Sequence, residues 1–115
     1  MRYMLLIYSA PTRWVGLSDA EIGEVLGAYR AFSEALAVEG KLVSADELAP
    51  TNRAKSVTRR HGAKSVIDGP YVDTKEALGG YYLIEVADEA EALTWAARCP
   101  GAAYGGIEVR PMMIR

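Results

Sequence analysis

The sequence has little of the chemistry on which most catalytic and metal-binding sites depend. Among its 115 residues there is one cysteine, Cys99, and one histidine, His61. A single cysteine excludes an internal disulfide and gives no reason to place the protein in an oxidising compartment. A single imidazole excludes a histidine cluster for a metal ion. We therefore expect a cytoplasmic protein that holds no metal and no cofactor.

Long apolar runs and a strong net charge are also missing. No apolar stretch approaches the twenty residues of a membrane-spanning helix, and the apolar run 3–8 stops at Ser9 and Pro11, too early for an export signal. The formal charge of −2 provides no general attraction for phosphate backbones or acidic lipids. We expect neither a nucleic acid nor a membrane as partner, and one globular domain over residues 1–115.

What is present is an alternation of strand and helix patterns. Ser18 and Glu21 form a capping box at the start of an amphipathic helix that ends at Gly40. His61-Gly62 is interpreted as a hairpin turn, and a short helical turn is expected over 74–78, before Gly79-Gly80. The predicted strands are 3–8, 42–48, 56–60, 63–67, 81–86 and 107–110, and a second helix is predicted over 88–98.

This order predicts an α+β fold of the ferredoxin-like, split β-α-β type with an inserted β-hairpin. Two helices cover one face of the sheet and leave the other bare. The strands 3–8 and 81–86 are apolar on nearly every residue, so the bare face would expose a large apolar patch. The simplest cover is a second copy of the chain, which predicts a homodimer.

Six motifs spread over the chain occur together. They are Tyr3-Met4-Leu5-Leu6-Ile7-Tyr8, Asp68-Gly69-Pro70-Tyr71, Thr74-Lys75-Glu76, Leu78-Gly79-Gly80-Tyr81-Tyr82, Trp95-Ala96-Ala97-Arg98-Cys99-Pro100 and Glu108-Val109-Arg110-Pro111. In combination they resemble the DGPF branch of the YCII-related proteins, with Tyr71 where the family usually has phenylalanine. The resemblance implies a ferredoxin-like fold paired as a dimeric α/β barrel.

The activity proposed for some relatives does not follow from the resemblance. That proposal uses a histidine on the first helix and an aspartate in an Asp-Pro-Tyr turn after the second, and one branch performs dehydrochlorination. Here the first helix has no histidine, and the turn after the second helix reads Cys99-Pro100-Gly101. Whether the protein is an enzyme therefore stays open. Genes of the DGPF branch often lie beside those of extracytoplasmic-function sigma factors, which makes contact with a sigma factor a further possibility.

A group of polar residues near the DGPY motif is the first candidate for a ligand site. Carboxylates beside a lysine and a tyrosine shift one another's pKa and can act as acid and base in a dry cavity. Three further tyrosines offer an apolar body with one polar handle for a pocket between helix and sheet. The alternatives are an ion-paired loop and ordinary core residues. The candidate ligand-binding residues are Asp68, Tyr71, Asp73, Lys75, Glu76, Tyr8, Tyr29 and Tyr81; no catalytic residue is assigned.

The remaining features favour structural roles. His61 is expected at a solvated hairpin tip, and Cys99 at a helix C-terminus, where the dipole disfavours a thiolate. The leading hypothesis is a homodimeric small-molecule-binding or accessory protein. The alternatives are a cofactor-independent enzyme, with lyase-like or proton-transfer chemistry on a small substrate such as an aromatic compound, and an accessory protein that contacts a sigma factor.

Overall fold

The computed structural model describes residues 1–115 and contains six strands and two α-helices. Three short 3-10 turns, at Pro11–Trp14, Thr51–Arg53 and Pro100–Ala103, lie between the longer elements. In chain order the longer elements are β1 (Arg2–Ser9), α1 (Asp19–Val38), β2 (Leu42–Glu47), β3 (Lys55–Arg60), β4 (Ala63–Asp68), β5 (Ala77–Glu85), α2 (Glu89–Arg98) and β6 (Gly106–Pro111).

Four strands form one antiparallel sheet in the order β2-β5-β1-β6. This is the ferredoxin-like arrangement predicted from the order of the elements, because β1 and β5 lie at the centre. Tyr3 pairs with Ile84 and Leu5 with Tyr82, and these four side chains are buried. Since cross-strand partners point to the same face, they define the face that packs against the helices.

Local signals place the two helices as predicted. The Ser18 side chain accepts a hydrogen bond from the Glu21 backbone N–H, and the Glu21 carboxylate accepts one from the Ser18 N–H. At the start of α2 the Asp88 side chain accepts a hydrogen bond from the Glu91 backbone N–H, and the Glu91 carboxylate accepts one from the Ala87 N–H. Gly40, just beyond α1, has a φ of 71°, which is costly for residues with a Cβ. Capping satisfies backbone N–H groups that the first turn leaves unpaired.

The core lies between the helices and one face of the sheet. Phe32 of α1 and Trp95 of α2 meet there, edge to face, with ring centroids 6.1 Å apart. Burying apolar surface contributes about 25 cal/mol per Å², so this layer supplies most of the favourable free energy of folding. The buried cluster consists of Tyr3, Leu5, Phe32, Leu36, Tyr82, Ile84, Val86, Ala92, Trp95, Ala96 and Cys99.

Strands β3 and β4 form a separate two-stranded ribbon, called the arm below (residues 55–68). His61 and Gly62 have φ of 52° and 79°, as a two-residue hairpin turn of type I′ requires, which confirms the predicted hairpin. The arm projects from the body: the radius of gyration is 16.2 Å, whereas a compact domain of this length has about 13 Å.

The helical turn predicted over 74–78 is wrong. Residues 71–76 contain no helix, and β5 already begins at Ala77. Gly79-Gly80 therefore lie inside a strand and do not precede one. Gly80 is required there, because a Cβ would lie 2.9 Å from the carbonyl oxygen of Asp46 on β2. Pairing with β1 and β2, which the local pattern does not encode, extends the strand.

The second face of the sheet carries no helix. Met4, Leu6 and Leu83 lie on it, half-buried, and Tyr8 shares that face by its position on β1. The apolar bare face expected from the two apolar strands is thus present in the single chain. Its coverage by a second copy stays a prediction. No helix is long and apolar enough to span a bilayer.

Candidate functional site

A cavity of about 360 Å³ lies between α1 and the end of the sheet where β1 and β2 stop and β5 begins. Helix α1 forms one wall, the two central strands form the floor, and the turn before β6 closes one side. The lining residues are Ile7, Ser9, Trp14, Leu26, Tyr29, Ser33, Ala45, Asp46, Glu47, Gly79, Gly80, Tyr81, Tyr82 and Tyr104. Apolar walls with a few convergent polar groups are typical of small-molecule sites.

Two hydroxyl groups meet on the floor. The Oγ of Ser33 lies 2.7 Å from the Oη of Tyr82, within hydrogen-bond distance. The ring of Tyr82 is fixed by Phe32, whose ring stands nearly perpendicular to it with centroids 5.0 Å apart. Burial raises the pKa of Tyr82, although the Ser33 hydroxyl partly opposes that effect. Tyr82 is therefore a rigid, neutral phenol at neutral pH.

Tyr29 lies on the wall of the cavity that helix α1 forms. Burial raises its pKa well above the usual tyrosine range, and the neighbouring Cys99 thiol and Tyr104 hydroxyl add to the shift. Gly101 provides the room for it, since a Cβ at that position would lie 2.7 Å from the Tyr29 hydroxyl. Because the phenolate is disfavoured, Tyr29 can donate a hydrogen bond but cannot serve as a base near neutral pH.

Tyr104 and Arg13 form the layer next to Tyr29. The Arg13 guanidinium stacks on the Tyr104 ring, 4.1 Å from its centroid, which is a favourable cation–π distance. The Oη of Tyr104 and the Nε of Arg13 are both buried and make no hydrogen bond of ordinary geometry. A buried polar atom without a partner reduces stability, and such atoms are often found at functional sites.

The mouth of the cavity is more acidic than its interior. Glu47 pairs with Gly80 in the sheet, so its side chain lies on the same face as the cavity. A shallower groove of about 440 Å³ adjoins the mouth and shares Trp14, Leu26 and Glu47 with the cavity. The site therefore combines neutral hydroxyl donors inside with a carboxylate at the entrance.

The predicted tyrosines divide between three positions. Tyr29 lines the cavity. Tyr81 borders it, but its pairing with Leu6 places its side chain on the bare face of the sheet. Tyr8 lies on the bare face and lines neither the cavity nor the groove. The structure therefore brings one of the three phenols into the pocket between helix and sheet.

The predicted loop residues lie outside the cavity. Asp68 accepts a hydrogen bond from the Lys55 ammonium at 2.5 Å, an exposed pair at the base of the arm. All five are exposed, and none lines the cavity or the groove. Of the five, only Asp68 is ion-paired in the single chain, and the role of the loop in ligand binding stays a prediction. The five residues are Asp68, Tyr71, Asp73, Lys75 and Glu76.

Most lining residues are not candidates from the sequence, among them Ser33, Tyr82 and Tyr104. Ser33 follows Tyr29 by four residues, so it lies on the same face of α1, and this spacing could have indicated it. Tyr82 alternates with Tyr81 along β5, which could have placed it on the core face. Tyr104 lies in the turn after α2, where no periodic pattern points to it.

The other candidates have structural roles. Cys99 is buried, and burial raises the pKa of its thiol, so it is not an activated nucleophile. His61 is exposed at the tip of the arm.

Comparisons with known proteins agree with this fold. A family model described as the YCII-related domain matches residues 1–114. An uncharacterized protein of Rhizobium meliloti (strain 1021) is 36% identical over 120 residues, which cover 99% of this chain and 94% of that protein. A solved structure from Burkholderia phenoliruptrix AC1100, a 5-chloro-2-hydroxyhydroquinone dehydrochlorinase in complex with 2,5-dihydroxybenzoquinone, superposes with a TM-score of 0.54 at 16% identity. That superposition covers 98% of this chain and 94% of the other.

Proposed function

The chain belongs to the YCII-related domain family, and from this premise we propose that it is a homodimeric small-molecule-binding protein. Its ligand occupies the cavity between α1 and the sheet. The ligand class that fits is a small planar ring that carries oxygen acceptors, such as a quinone or a hydroxylated benzene. A cavity of about 360 Å³ is at the small end of ligand sites and suits a single ring.

One observation carries the proposal: neutral hydroxyl donors converge on a cavity with apolar walls. Tyr29 and Tyr82 are protonated at neutral pH, since a phenol ionises only at a pKa of about 10, and burial raises the pKa of both further. The rest of the surface includes Ile7, Trp14 and Leu26, which match the faces of an aromatic ring. Phenols that stay protonated donate hydrogen bonds to ring oxygens, whereas the apolar walls exclude water.

A cofactor-independent enzyme is the second candidate. It is supported by the fold shared with a dehydrochlorinase whose structure holds a dihydroxybenzoquinone. Such chemistry needs a base for the substrate's hydroxyl proton. Burial raises the pKa of Tyr29, which disfavours that residue as the base, and Glu47 at the mouth is the carboxylate on the cavity face. An accessory role at a sigma factor has no specific observation in its favour.

The binding proposal is tested by thermal unfolding with 2,5-dihydroxybenzoquinone as the probe. A ligand that binds only the folded state raises the melting temperature, and at 100 times its Kd it adds about 2.7 kcal/mol. Tyr29→Phe is expected to weaken binding by about 2- to 10-fold, because one hydrogen bond contributes about 0.5–1.5 kcal/mol. Thr94→Val removes an exposed hydroxyl on α2, outside the cavity and the groove, and is the control.

Two outcomes contradict binding in the cavity: no rise in melting temperature with the probe, or equal weakening by Tyr29→Phe and Thr94→Val. Chloride release from a chlorinated hydroquinone distinguishes the enzyme from the binding protein. Release that disappears in Glu47→Gln, with probe binding retained, would establish the enzymatic alternative.

A further inference from the structure

The arm leaves apolar side chains in water. Val57 and Val66 are cross-strand partners on one face, and they are 61% and 54% exposed. A two-stranded ribbon is at best marginally stable alone in water, and this one has few contacts with the body of its own chain. Its base is held by the hydrogen bond from Gly69 N–H to the Ala54 carbonyl oxygen, at 2.8 Å. Some other surface must cover the valine pair.

The charge of the arm is opposite to that of the body. The arm carries Lys55, Arg59, Arg60 and Lys64 against the single carboxylate of Asp68, a net charge of +3. Because the whole chain has a formal charge of −2, the remaining residues carry −5. Two arms would repel each other, whereas an arm and the body of a second copy attract.

The mouth of the cavity has matching chemistry. Trp14, Leu26 and Leu48 are exposed there, by 36%, 45% and 48%, beside the carboxylate of Glu47, which lies on the cavity face. The arm presents the complement, since Arg59 and Lys64 are the cross-strand pair next to Val57 and Val66 on the same face. An apolar centre with a charged rim is the usual composition of an interface.

A contact through the arm enlarges a contact through the bare face of the sheet. Four strands about 4.8 Å apart and about six residues long have a flat outline of roughly 400 Å², and one face of the arm has an outline of roughly 200 Å² by the same spacings. Because a twofold dimer contains each contact twice, the arm and the patch beneath the partner's arm together add about as much outline per copy as the bare face provides.

We infer that the arm of one copy docks through its Val57–Val66 face on the cavity mouth of a second copy. The inference rests on the homodimer of the proposed function and adds what holds it together: each cavity is closed in part by the other chain. It also brings the loop that follows the arm into the neighbourhood of the partner subunit.

The first test is sedimentation equilibrium on the full chain. Val57→Lys with Val66→Lys is expected to raise the dimer dissociation constant about 100-fold, because two apolar side chains lose their buried environment. Thr58→Lys with Ser65→Lys adds the same charge to the cross-strand pair on the other face of the arm and is expected to change the constant less than threefold. Circular dichroism verifies that both variants are folded.

The second test locates the arm. A photoreactive benzoylphenylalanine at position 57 is expected to crosslink between chains, to peptides that contain Trp14, Leu26 or Leu48. A monomeric wild-type protein overturns the homodimer and with it this inference. A dimer that the two valine substitutions leave unchanged, or that crosslinks only arm to arm, overturns the inference alone and leaves the binding proposal standing.

Discussion

Two adjacent glycines have opposite steric surroundings. A Cβ on Gly105 would lie 2.0 Å from the carbonyl oxygen of Tyr8, whereas a Cβ on Gly106 would meet nothing within 4 Å. We expect Gly105→Ala to lower the free energy of unfolding by about 2–3 kcal/mol, because the backbone must move apart. The melting temperature should fall by roughly 10 °C. Differential scanning calorimetry measures this fall.

Gly106→Ala is the matched control for that substitution. Alanine restricts the unfolded chain more than glycine does, so the control should leave stability unchanged or raise it by about 0.5 kcal/mol. If the two alanine variants melt at the same temperature, the turn before β6 does not approach β1 as closely as the structure shows. The position of Tyr104 beside the cavity would then be wrong as well.

The buried phenol of Tyr29 makes stability sensitive to alkaline pH. Its pKa is raised in the folded protein, whereas an unfolded tyrosine ionises near a pKa of about 10. The stabilising effect is therefore complete below pH 10 and is lost as the pH rises above it, since only the unfolded chain releases the proton. The slope approaches about 1.4 kcal/mol per pH unit.

Urea unfolding at pH 8 and at pH 11 measures this effect. The wild-type protein should lose about 1 kcal/mol more between the two pH values than Tyr29→Phe does, because the variant has no proton to release. Tyr71→Phe removes a tyrosine that is 71% exposed and should retain the wild-type loss. Equal losses in all three proteins would show that the Tyr29 hydroxyl is not buried when folded.

At the scale of the elements, local chemistry explains which predictions succeed. The start of α1 is encoded by Ser18 and Glu21, which are neighbours in sequence, and the arm's turn by His61-Gly62. The start of β5 depends on pairing with β1 and β2, so the local pattern before Tyr81 wrongly predicts a helical turn. Periodicity predicts elements whose boundaries are set by residues close in sequence. It fails where pairing with a strand that is distant in sequence sets the boundary.

The candidate site was only partly predictable for the same reason. Tyr29 could be found because α1 has a regular apolar face, but Tyr82 and Tyr104 approach it only through the tertiary fold. The sequence indicates the loop beginning at Asp68 because its polar residues are close in sequence. None of those residues lines the cavity of its own chain, and no local pattern predicts where a loop lies relative to a cavity.

At the scale of the whole molecule, the chain is flat and has an uncovered apolar face. Its extents are 47 × 45 × 18 Å, the thinnest of them about the depth of one sheet and one helix layer. Half-buried Met4 and Leu83 are cross-strand partners on the bare face. An apolar surface of this kind marks an interaction site. Leu83→Glu is therefore expected to yield a folded monomer.

The carboxylate of that variant would be buried without a partner in a face-to-face dimer, yet it would be solvated in a single chain. We expect the dimer dissociation constant to rise by at least about 100-fold, since an unpaired buried charge costs about 3–5 kcal/mol. Ala28→Glu adds the same charge on the exposed side of α1, away from the sheet. This control should leave the dimer dissociation constant unchanged. Light scattering after size exclusion at micromolar concentration gives the masses of both variants.

A dimeric Leu83→Glu protein with an unchanged melting temperature would mean that the bare face is not the interface. The contact through the arm would then have to hold the two copies together without the bare face.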